Sequence, residues 1–310
     1  MACQRGAVNA SIRADTPAFL AQCDRDYQDR IARTARAIAD RLAVSPIVLL
    51  TGPSGSGKTT TALKLAETLR QLGVGAQAIS LDNYFVPLEP DKLPRTETGE
   101  VDMESPAFLD MPLLDETFTR LSQGLEVQVP RFDFAHQMRD ENGSRSLRLE
   151  QNEIAIFEGI HALCPGVSGP HPEATKLYVS PRSEFSDGEQ LLFDGPMLRL
   201  SRRLVRDHNF RGTDAAETLA LWANVRRGER LYIDPYRSDA DLTLDTSLPY
   251  EVSVMKGFTL PLLEQTADTD SPETEKLRAA FEGFEAIDPE FVDTRSLLRE
   301  FIGGSSYRYH

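Results

Sequence analysis

Apolar residues in the first quarter of the chain change from a helical spacing to an uninterrupted run. Over residues 16–42 they recur at intervals of three, four and seven positions, which predicts an amphipathic helix with Thr16 as its N-cap and Pro17 in its first turn. Residues 47–50 are apolar without a break, as is typical of a strand buried on both faces of a parallel sheet. Helical spacing returns over residues 58–72 and stops at a glycine. The pattern predicts a strand, a loop and a helix after an N-terminal helix.

The same alternation of apolar runs and helical spacing continues through most of the chain. Further strands are predicted at residues 76–81, 154–157, 177–179 and 241–244, and further helices at residues 112–123, from 196 onwards and at 214–227. Residues 127–134 and 146–149 are extended and partly polar and flank Asn142-Gly143, which predicts a small antiparallel flap. Strands that alternate with helices indicate an α/β fold, with a mostly parallel sheet and helices on both faces.

The domain organisation follows from where this alternation begins and ends. We expect one α/β domain over residues 45–264, preceded by a helical extension at residues 1–44. A second helical extension, residues 265–310, would pack on the domain; it contains a predicted helix at 272–284 and an apolar segment at 296–302. Internal repeats, low-complexity tracts and long Gly/Ser/Pro linkers are not evident in the sequence.

Composition and charge exclude several classes of protein. The 310 residues include 34 Lys and Arg against 48 Asp and Glu, a net charge of −14, which argues against a nucleic-acid partner. Three widely spaced cysteines fit neither a disulfide framework nor a zinc site and indicate a reducing compartment. The longest uncharged stretch, residues 42–57, is broken by glycines and prolines, and the N-terminus lacks the apolar core of a secretory signal. We therefore expect a soluble cytoplasmic protein without a membrane segment.

A glycine-rich sequence follows the first predicted strand. Residues 52–59 match G-x-x-x-x-G-K-[ST], a loop whose backbone N–H groups surround phosphates at the start of a helix. Lys58 would reach the β- and γ-phosphates, and the Thr59 hydroxyl would bind Mg²⁺. The predicted ATP-binding residues here are Gly52, Ser54, Gly55, Ser56, Gly57, Lys58, Thr59 and Thr60. A glycine-rich turn that matches by chance is the alternative.

Two acidic residues come directly after predicted strands. Asp82 follows residues 76–81, and Glu158 follows residues 154–157. Open parallel sheets bind ligands beyond the carboxyl ends of their strands, so either acid could orient and deprotonate an acceptor hydroxyl or hold Mg²⁺ beside a triphosphate. A capping role in the local turn is the alternative interpretation.

Arginines form one face of the helix that begins near residue 196. Four of them, spaced i, i+3, i+4 and i+7, are Arg199, Arg202, Arg203 and Arg206. Apolar residues lie on the opposite side of the same helix. Such a helix could close over a triphosphate as a lid, neutralise the charge on the transferred phosphoryl group and exclude water. A solvated face whose arginines pair with nearby carboxylates is the alternative.

Together these segments resemble the uridine kinase and phosphoribulokinase family of P-loop kinases, most closely its bacterial uridine/cytidine kinase-like members. The resemblance covers residues 47–263 and rests on the glycine-rich loop, the segments 80–85, 102–106, 130–134 and 156–160, and the arginines. It implies a P-loop NTPase fold with a flap and a helical, arginine-rich lid. The sequence departs from the family in the flap, where His136 comes one residue early and Phe132 replaces a tyrosine, and after Gly212, where Thr213 replaces an arginine.

The resemblance also implies roles for individual residues. Asp82 would be the base that activates a 5′-hydroxyl, and with Thr59 and Glu158 it would hold Mg²⁺. Glu104 would bind the ribose hydroxyls, Arg203 would contact the acceptor, and Arg206 and Arg211 would face the phosphates. The catalytic set is Asp82, Lys58, Arg203 and Arg206. The substrate-binding set is Asp82, Tyr84, Phe85, Glu104, Phe132, Phe134, His136, Arg139 and Arg203.

The function that the sequence predicts is an ATP- and Mg²⁺-dependent kinase acting on the 5′-hydroxyl of uridine or cytidine. Two alternatives stay open. One is a P-loop kinase for another hydroxyl acceptor, such as a sugar phosphate, pantothenate or another polyol. The other is a regulatory protein that binds ATP without catalysis. A homo-oligomer is also left open.

Overall fold

The computed structural model describes residues 2–87, 89–133, 136, 138–140, 142–266 and 272–309. The strands in these residues are β1 (Ala2–Gln4), β2 (Ile47–Thr51), β3 (Gly75–Ser80), β4 (Val127–Val129), β5 (Phe132–Asp133), β6 (Met138–Arg139), β7 (Arg145–Leu147), β8 (Glu153–Glu158), β9 (Thr175–Ser180), β10 (Glu184–Asp187), β11 (Gln190–Phe193) and β12 (Leu242–Asp245). The α-helices are α1 (Arg5–Ala39), α2 (Lys58–Gln71), α3 (Met111–Ser122), α4 (Pro165–Ser168), α5 (Gly195–Phe210), α6 (Ala215–Tyr232), α7 (Glu251–Glu264), α8 (Pro272–Ala280) and α9 (Arg299–Ile302).

The centre of the molecule is a five-stranded sheet in the order β12-β9-β2-β8-β3, with every neighbouring pair parallel. Successive residues of β2 point to opposite faces, as the period of a strand requires. Val48 and Leu50 join the hydrophobic cluster that contains the apolar faces of α1, α2 and α5. Ile47 and Leu49 join the cluster beneath α3. Both faces of the sheet are covered, and the predicted α/β fold is confirmed.

The predicted flap is present as two short antiparallel ladders. β4 pairs with β7, and β5 pairs with β6, beside the edge of the sheet that carries β3. Arg145 of β7 reaches that edge strand and donates to Gln77 Oε1 at 3.0 Å. The Asn142-Gly143 turn lies between β6 and β7 rather than at the tip of a single hairpin, so the flap has two ladders where the sequence predicted one.

The N-terminal segment is more extensive than the sequence indicated. α1 begins at Arg5 and bends at Asp15, which has an extended backbone conformation (φ −165°, ψ 93°). The Asp15 carboxylate accepts a hydrogen bond from the Ala18 amide, while the Thr16 hydroxyl donates to Ile12 O. Asp15 therefore caps the second part of the helix, and the prediction of Thr16 as N-cap is wrong. β1 pairs with β10, and β10 pairs with β11, so these three strands form a second, separate sheet.

Both terminal extensions pack into the main hydrophobic cluster. α1 contributes Tyr27, whose hydroxyl lies 2.9 Å from Thr61 Oγ1 of α2. The C-terminal extension contributes Leu277, Leu297 and Phe301. α8 is shorter than predicted, and α7, which holds a buried face against α5, was not predicted. The division into domains at residues 45 and 264 stays a prediction. No helix among the described residues is long and apolar enough to cross a bilayer.

Candidate active site

The glycine-rich loop connects β2 to α2 and needs glycine for two physical reasons. Gly57 precedes the helix in a left-handed conformation (φ 82°), which L side chains rarely adopt. A Cβ on Gly52 would lie 2.1 Å from Val179 O of the neighbouring strand, closer than any non-bonded contact allows. The loop therefore packs directly against the sheet. As in any helix, the first backbone N–H groups of α2 have no partner inside the helix.

A cavity of about 600 Å³ opens in front of this loop. It lies at the carboxyl ends of β2, β3 and β8, where the sequence placed a ligand site. The predicted residues that line it are Ser54, Gly55, Gly57, Lys58, Thr59, Asp82, Phe85, Glu104, Glu158, Arg203, Arg206 and Arg211. Gly52, Ser56 and Thr60 lie behind the cavity wall, with Ser56 and Thr60 fully buried.

The two acids predicted at the strand ends, Asp82 and Glu158, line the cavity together with Lys58 of the loop. Asp82 stands in the 3₁₀ turn Leu81–Tyr84 after β3, where the Ser80 hydroxyl accepts from its amide at 3.3 Å. Glu158 ends β8 and accepts a hydrogen bond from the Thr59 hydroxyl at 3.3 Å. Burial raises the pKa of Glu158 to about 7; Lys58 opposes this shift and Asp82 adds to it. Burial also lowers the pKa of Lys58, against the charges of Glu158 and Asp82.

Glu104 lines the cavity and is held by tight packing. A Cβ on Gly228 of α6 would lie 2.3 Å from the Cβ of Glu104, so only glycine permits this approach. The Glu104 amide donates to Asp102 Oδ1 at 3.3 Å, and the His161 ring hydrogen bonds to the Glu104 backbone. Burial raises the pKa of Glu104 to about 7, with the Arg203 charge opposing. Sequence reasoning missed the supporting roles of Asp102, His161 and Gly228.

The lid arginines that face the cavity share one carboxylate. Asp207, which is 2% exposed, pairs with Arg203 Nε at 3.1 Å, Arg206 at 2.7 Å and Arg211 at 3.6 Å. Arg203 also donates to Ser54 Oγ of the loop at 2.9 Å. The result is a cluster of guanidinium groups beside the glycine-rich loop, although α5 itself is packed in the core on its opposite side.

Several predicted substrate contacts lie elsewhere. Tyr84 is fully buried with its ring against Phe157, so it is a core residue and not a substrate contact. Phe132 is buried behind Phe85, with ring centroids 5.7 Å apart. Arg139 donates to Phe85 O at 3.2 Å and pairs with Asp110, which makes it a support for the flap.

Among the described residues of the flap, none lines the cavity. His136 points outward, with 73% of its side chain exposed, and pairs with Asp133 at 2.7 Å. Phe134 lies outside the described residues. The described flap therefore contributes no aromatic side chain to the cavity lining, and Phe85 supplies the aromatic ring near Asp82.

Five cavity residues were not singled out from the sequence: Gly159, Ile160, Phe210, Glu300 and Tyr309. Gly159 and Ile160 belong to the segment 156–160, in which only Glu158 was given a role. Glu300 and Tyr309 come from the C-terminal extension. Residues 297–304, which include Glu300, resemble bacterial nucleoside kinase-like proteins, but this resemblance assigns Glu300 no role.

Curated relatives are similar to this chain over about two thirds of its length. The chain is 27% identical over 204 residues to a uridine kinase of Staphylococcus haemolyticus, covering 66% of this chain and 88% of that protein. It is 26% identical over 204 residues to a uridine kinase of Macrococcus caseolyticus, covering 66% and 89%. A solved structure from Silicibacter sp. TM1040, provisionally described as a fructose transport system kinase, superposes with a TM-score of 0.51 at 24% identity, covering 69% of this chain and 98% of that one. That last likeness concerns the fold alone.

The family described as "Phosphoribulokinase / Uridine kinase family" matches residues 47–168, which hold the glycine-rich loop, Asp82, Glu104 and Glu158. Members of such a kinase family transfer a phosphoryl group from ATP to a hydroxyl. The resemblance to the phosphoribulokinase / uridine kinase family of P-loop kinases that the sequence indicated is thereby confirmed.

Proposed function

We propose that the protein is an ATP- and Mg²⁺-dependent kinase that phosphorylates the 5′-hydroxyl of uridine or cytidine. One observation carries the proposal: Lys58, Asp82, Glu104 and Arg203 line the same cavity, so a triphosphate on the loop and an alcohol beside Asp82 would meet there. The residues come from four separate parts of the chain. A shared reaction site accounts for their convergence.

The proposed reaction uses these side chains in defined roles. The acceptor oxygen attacks the γ-phosphorus of ATP, the bond from that phosphorus to the β,γ-bridging oxygen breaks, and ADP leaves. The acceptor proton passes to the Asp82 carboxylate. Lys58, Arg203 and Arg206 would neutralise the charge that spreads over the transferred oxygens. Since Asp207 already holds Arg203 and Arg206 near the loop, little reorganisation is needed when the triphosphate enters.

The donor set fits a magnesium ion bound together with phosphates. Among the described residues, no cluster of three His, Cys, Asp or Glu side chains is arranged to hold a metal alone. Mg²⁺ in phosphoryl-transfer sites is typically held by one or two carboxylates together with substrate phosphates. Thr59 and Glu158, whose side chains lie 3.3 Å apart, would hold the ion, with Asp82 nearby. When bound, Mg²⁺ supplies charge neutralisation at the β- and γ-phosphates.

A nucleoside acceptor is supported by the relatives named uridine kinase and by Glu104 and Phe85, which both line the cavity. A carboxylate can accept from both ribose hydroxyls, and an aromatic ring can pack on a flat base. A second candidate is a kinase for another hydroxyl acceptor, such as a sugar phosphate or polyol. It is favoured by the flap geometry, because neither Phe132 nor His136 reaches the cavity.

The test measures ADP release with a panel of nucleosides, sugar phosphates and vitamins. We expect release with uridine or cytidine, and in Asp82→Asn a kcat reduced by about 10²-fold or more with ATP affinity retained. Asp91→Asn, an exposed acid in the following loop, is the matched control and should behave as wild type. Release with a sugar phosphate or polyol alone would favour the second candidate. ATP binding without any turnover would favour a regulatory protein.

A further inference from the structure

The last part of the C-terminal extension crosses α2 beside the glycine-rich loop. Arg295 pairs with Glu67 of α2, and the Tyr307 hydroxyl donates to the same carboxylate at 2.9 Å. Between these contacts, Leu297 packs so closely on Gly57 that a Cβ there would lie 2.6 Å from its Cδ1. The segment is therefore fixed to α2 on both sides of α9.

The same segment is also fixed to helix α5. Asn209 Nδ2 of α5 donates to Phe301 O at 3.2 Å, and the Arg202 guanidinium lies 5.4 Å above the Phe301 ring. Phe301 itself is fully buried. Glu300 thus has a buried neighbour that holds its backbone in place, while its own side chain extends to the cavity.

The Glu300 carboxylate is bound to the first turn of α2. Its Oε2 accepts from the Thr60 amide at 3.2 Å and from the Thr60 hydroxyl at 2.6 Å. The Tyr309 hydroxyl lies 3.1 Å from the same Thr60 oxygen and 3.0 Å from Ser305 Oγ. Glu300 and Tyr309 both line the cavity, whereas Thr60 is buried beneath them.

This amide belongs to a place that the loop reserves for an anion. The first N–H groups of a helix have no partner inside it, and a loop of this sequence uses them to cradle the α- and β-phosphates. A carboxylate is the side chain whose charge and oxygens most resemble a phosphate. Two anions at one amide repel each other, so Glu300 and a phosphate cannot both occupy it.

We infer that Glu300 is an internal competitor of the donor nucleotide: its carboxylate binds the amide that the α-phosphate would use, and ATP displaces it on binding. The inference rests on the proposed function, since it takes the loop to bind ATP. Glu300 has three side-chain torsions, so a rotation about them releases the amide while Phe301 stays anchored. Glu300 thereby lowers the affinity for ATP, and it lies outside residues 47–168 that match the family.

The experiment is calorimetric titration of the full chain with MgATP in the absence of any acceptor. Glu300→Gln removes the charge, and we expect about a 10-fold lower Kd, because a charged hydrogen bond no longer has to be broken. Glu300→Asp keeps the charge but draws the carboxylate back from Thr60, and we expect about a 3-fold lower Kd. Glu290→Gln makes the same change at an exposed position of the extension and should leave Kd unchanged.

The three variants distinguish displacement at the Thr60 amide from a general effect of charge. A Kd for Glu300→Gln that equals or exceeds the wild-type value would overturn the inference and leave the proposed function intact. A gain in Glu300→Gln with none in Glu300→Asp would reduce the effect to charge repulsion across the cavity and also overturn it. If neither wild type nor any variant bound ATP, the proposed function would fail together with the inference. Thermal melts of each variant establish that it is folded.

Discussion

Helix α5 carries two pairs of arginines that share one spacing and have opposite environments. Arg199 and Arg202 are 3% and 0% exposed. Arg199 binds Glu229 with both terminal nitrogens and donates to Ser54 O at 3.1 Å, and Arg202 binds Glu251 and donates to Thr246 O at 2.9 Å. Arg203 and Arg206 instead line the cavity.

The difference lies in the partners, which come from distant parts of the chain. Glu229 of α6 and Glu251 of α7 are buried against α5 and neutralise the first pair. The second pair shares Asp207 on its own helix, so its guanidinium groups stay at the cavity wall. Spacing along a helix can tell which arginines share a face, but the neighbouring helices decide which of them can act on a ligand.

The largest effect should come from breaking the buried pair. Arg202→Ala leaves the Glu251 carboxylate buried without its partner, and we expect a loss of about 3–5 kcal/mol in the free energy of unfolding. Chemical denaturation measures it. The double variant Arg202→Met/Glu251→Leu removes both charges and should recover most of the loss. A cost below about 1 kcal/mol for Arg202→Ala would show that the pair is not the stabilising contact.

The cavity pair should give the opposite result. Arg203→Met removes a charge from the cavity, and we expect kcat to fall about 10²-fold while the melting temperature stays within a few degrees of wild type. Steady-state kinetics with the acceptor found in the ADP-release panel, together with thermal melts, measure both. Arg230→Met, at an exposed position of α6, is the matched control. If kcat stayed within about 3-fold of wild type, Arg203 would have no role in the transition state.

The cavity acids sharpen the comparison through pH. Burial raises the pKa of Glu158 and of Glu104 to about 7, so both carboxyl groups are protonated below that pH and ionised above it. Since the proposed roles need the ionised forms, kcat/KM should rise with pH and level off above about 7. Below it the rate should fall about 10-fold per pH unit for each required acid. In Glu104→Gln the acidic limb should become shallower, and an unchanged limb would remove Glu104 from the titration.

The smallest expected effect concerns α6, which contacts both the buried arginine Arg199 and the cavity residue Glu104. Gly228 lies beside Glu229, the partner of Arg199, and packs on Glu104. Gly228→Ala should push Glu104 away and raise the acceptor KM about 5-fold, with ATP affinity unchanged. Gly257→Ala in α7 is the matched control, because a Cβ there meets no atom within 4 Å. Equal KM values in the two variants would mean that Glu104 tolerates the displacement.

Local sequence was sufficient for the parts of the site that are continuous in the chain. The loop, Thr59 and Lys58 follow from one motif, and Asp82 and Glu158 follow from their positions after buried strands. The central strands were placed to within a residue or two, because uninterrupted apolar runs are typical of parallel sheets. The fold was predictable for the same reason.

The missed features depend on contacts between distant segments. Tyr84 was expected at the substrate because it belongs to the segment 80–85 that resembles the family, but its ring is buried in the core. His136 was expected at the base and instead pairs with Asp133 outside the cavity. Glu300 reaches Thr60 across 240 positions of sequence, and no periodicity or motif marks such a contact. Pairing of this kind is set by tertiary packing.

The close contact of Leu297 with Gly57 has a practical consequence for anyone who divides this protein into smaller pieces. A fragment cut after α7 would retain residues 47–168, which match the family model, yet its glycine-rich loop would lose the Leu297 side chain that packs on Gly57. Similarity to relatives therefore marks where the chemistry lies and not where the polypeptide can be trimmed.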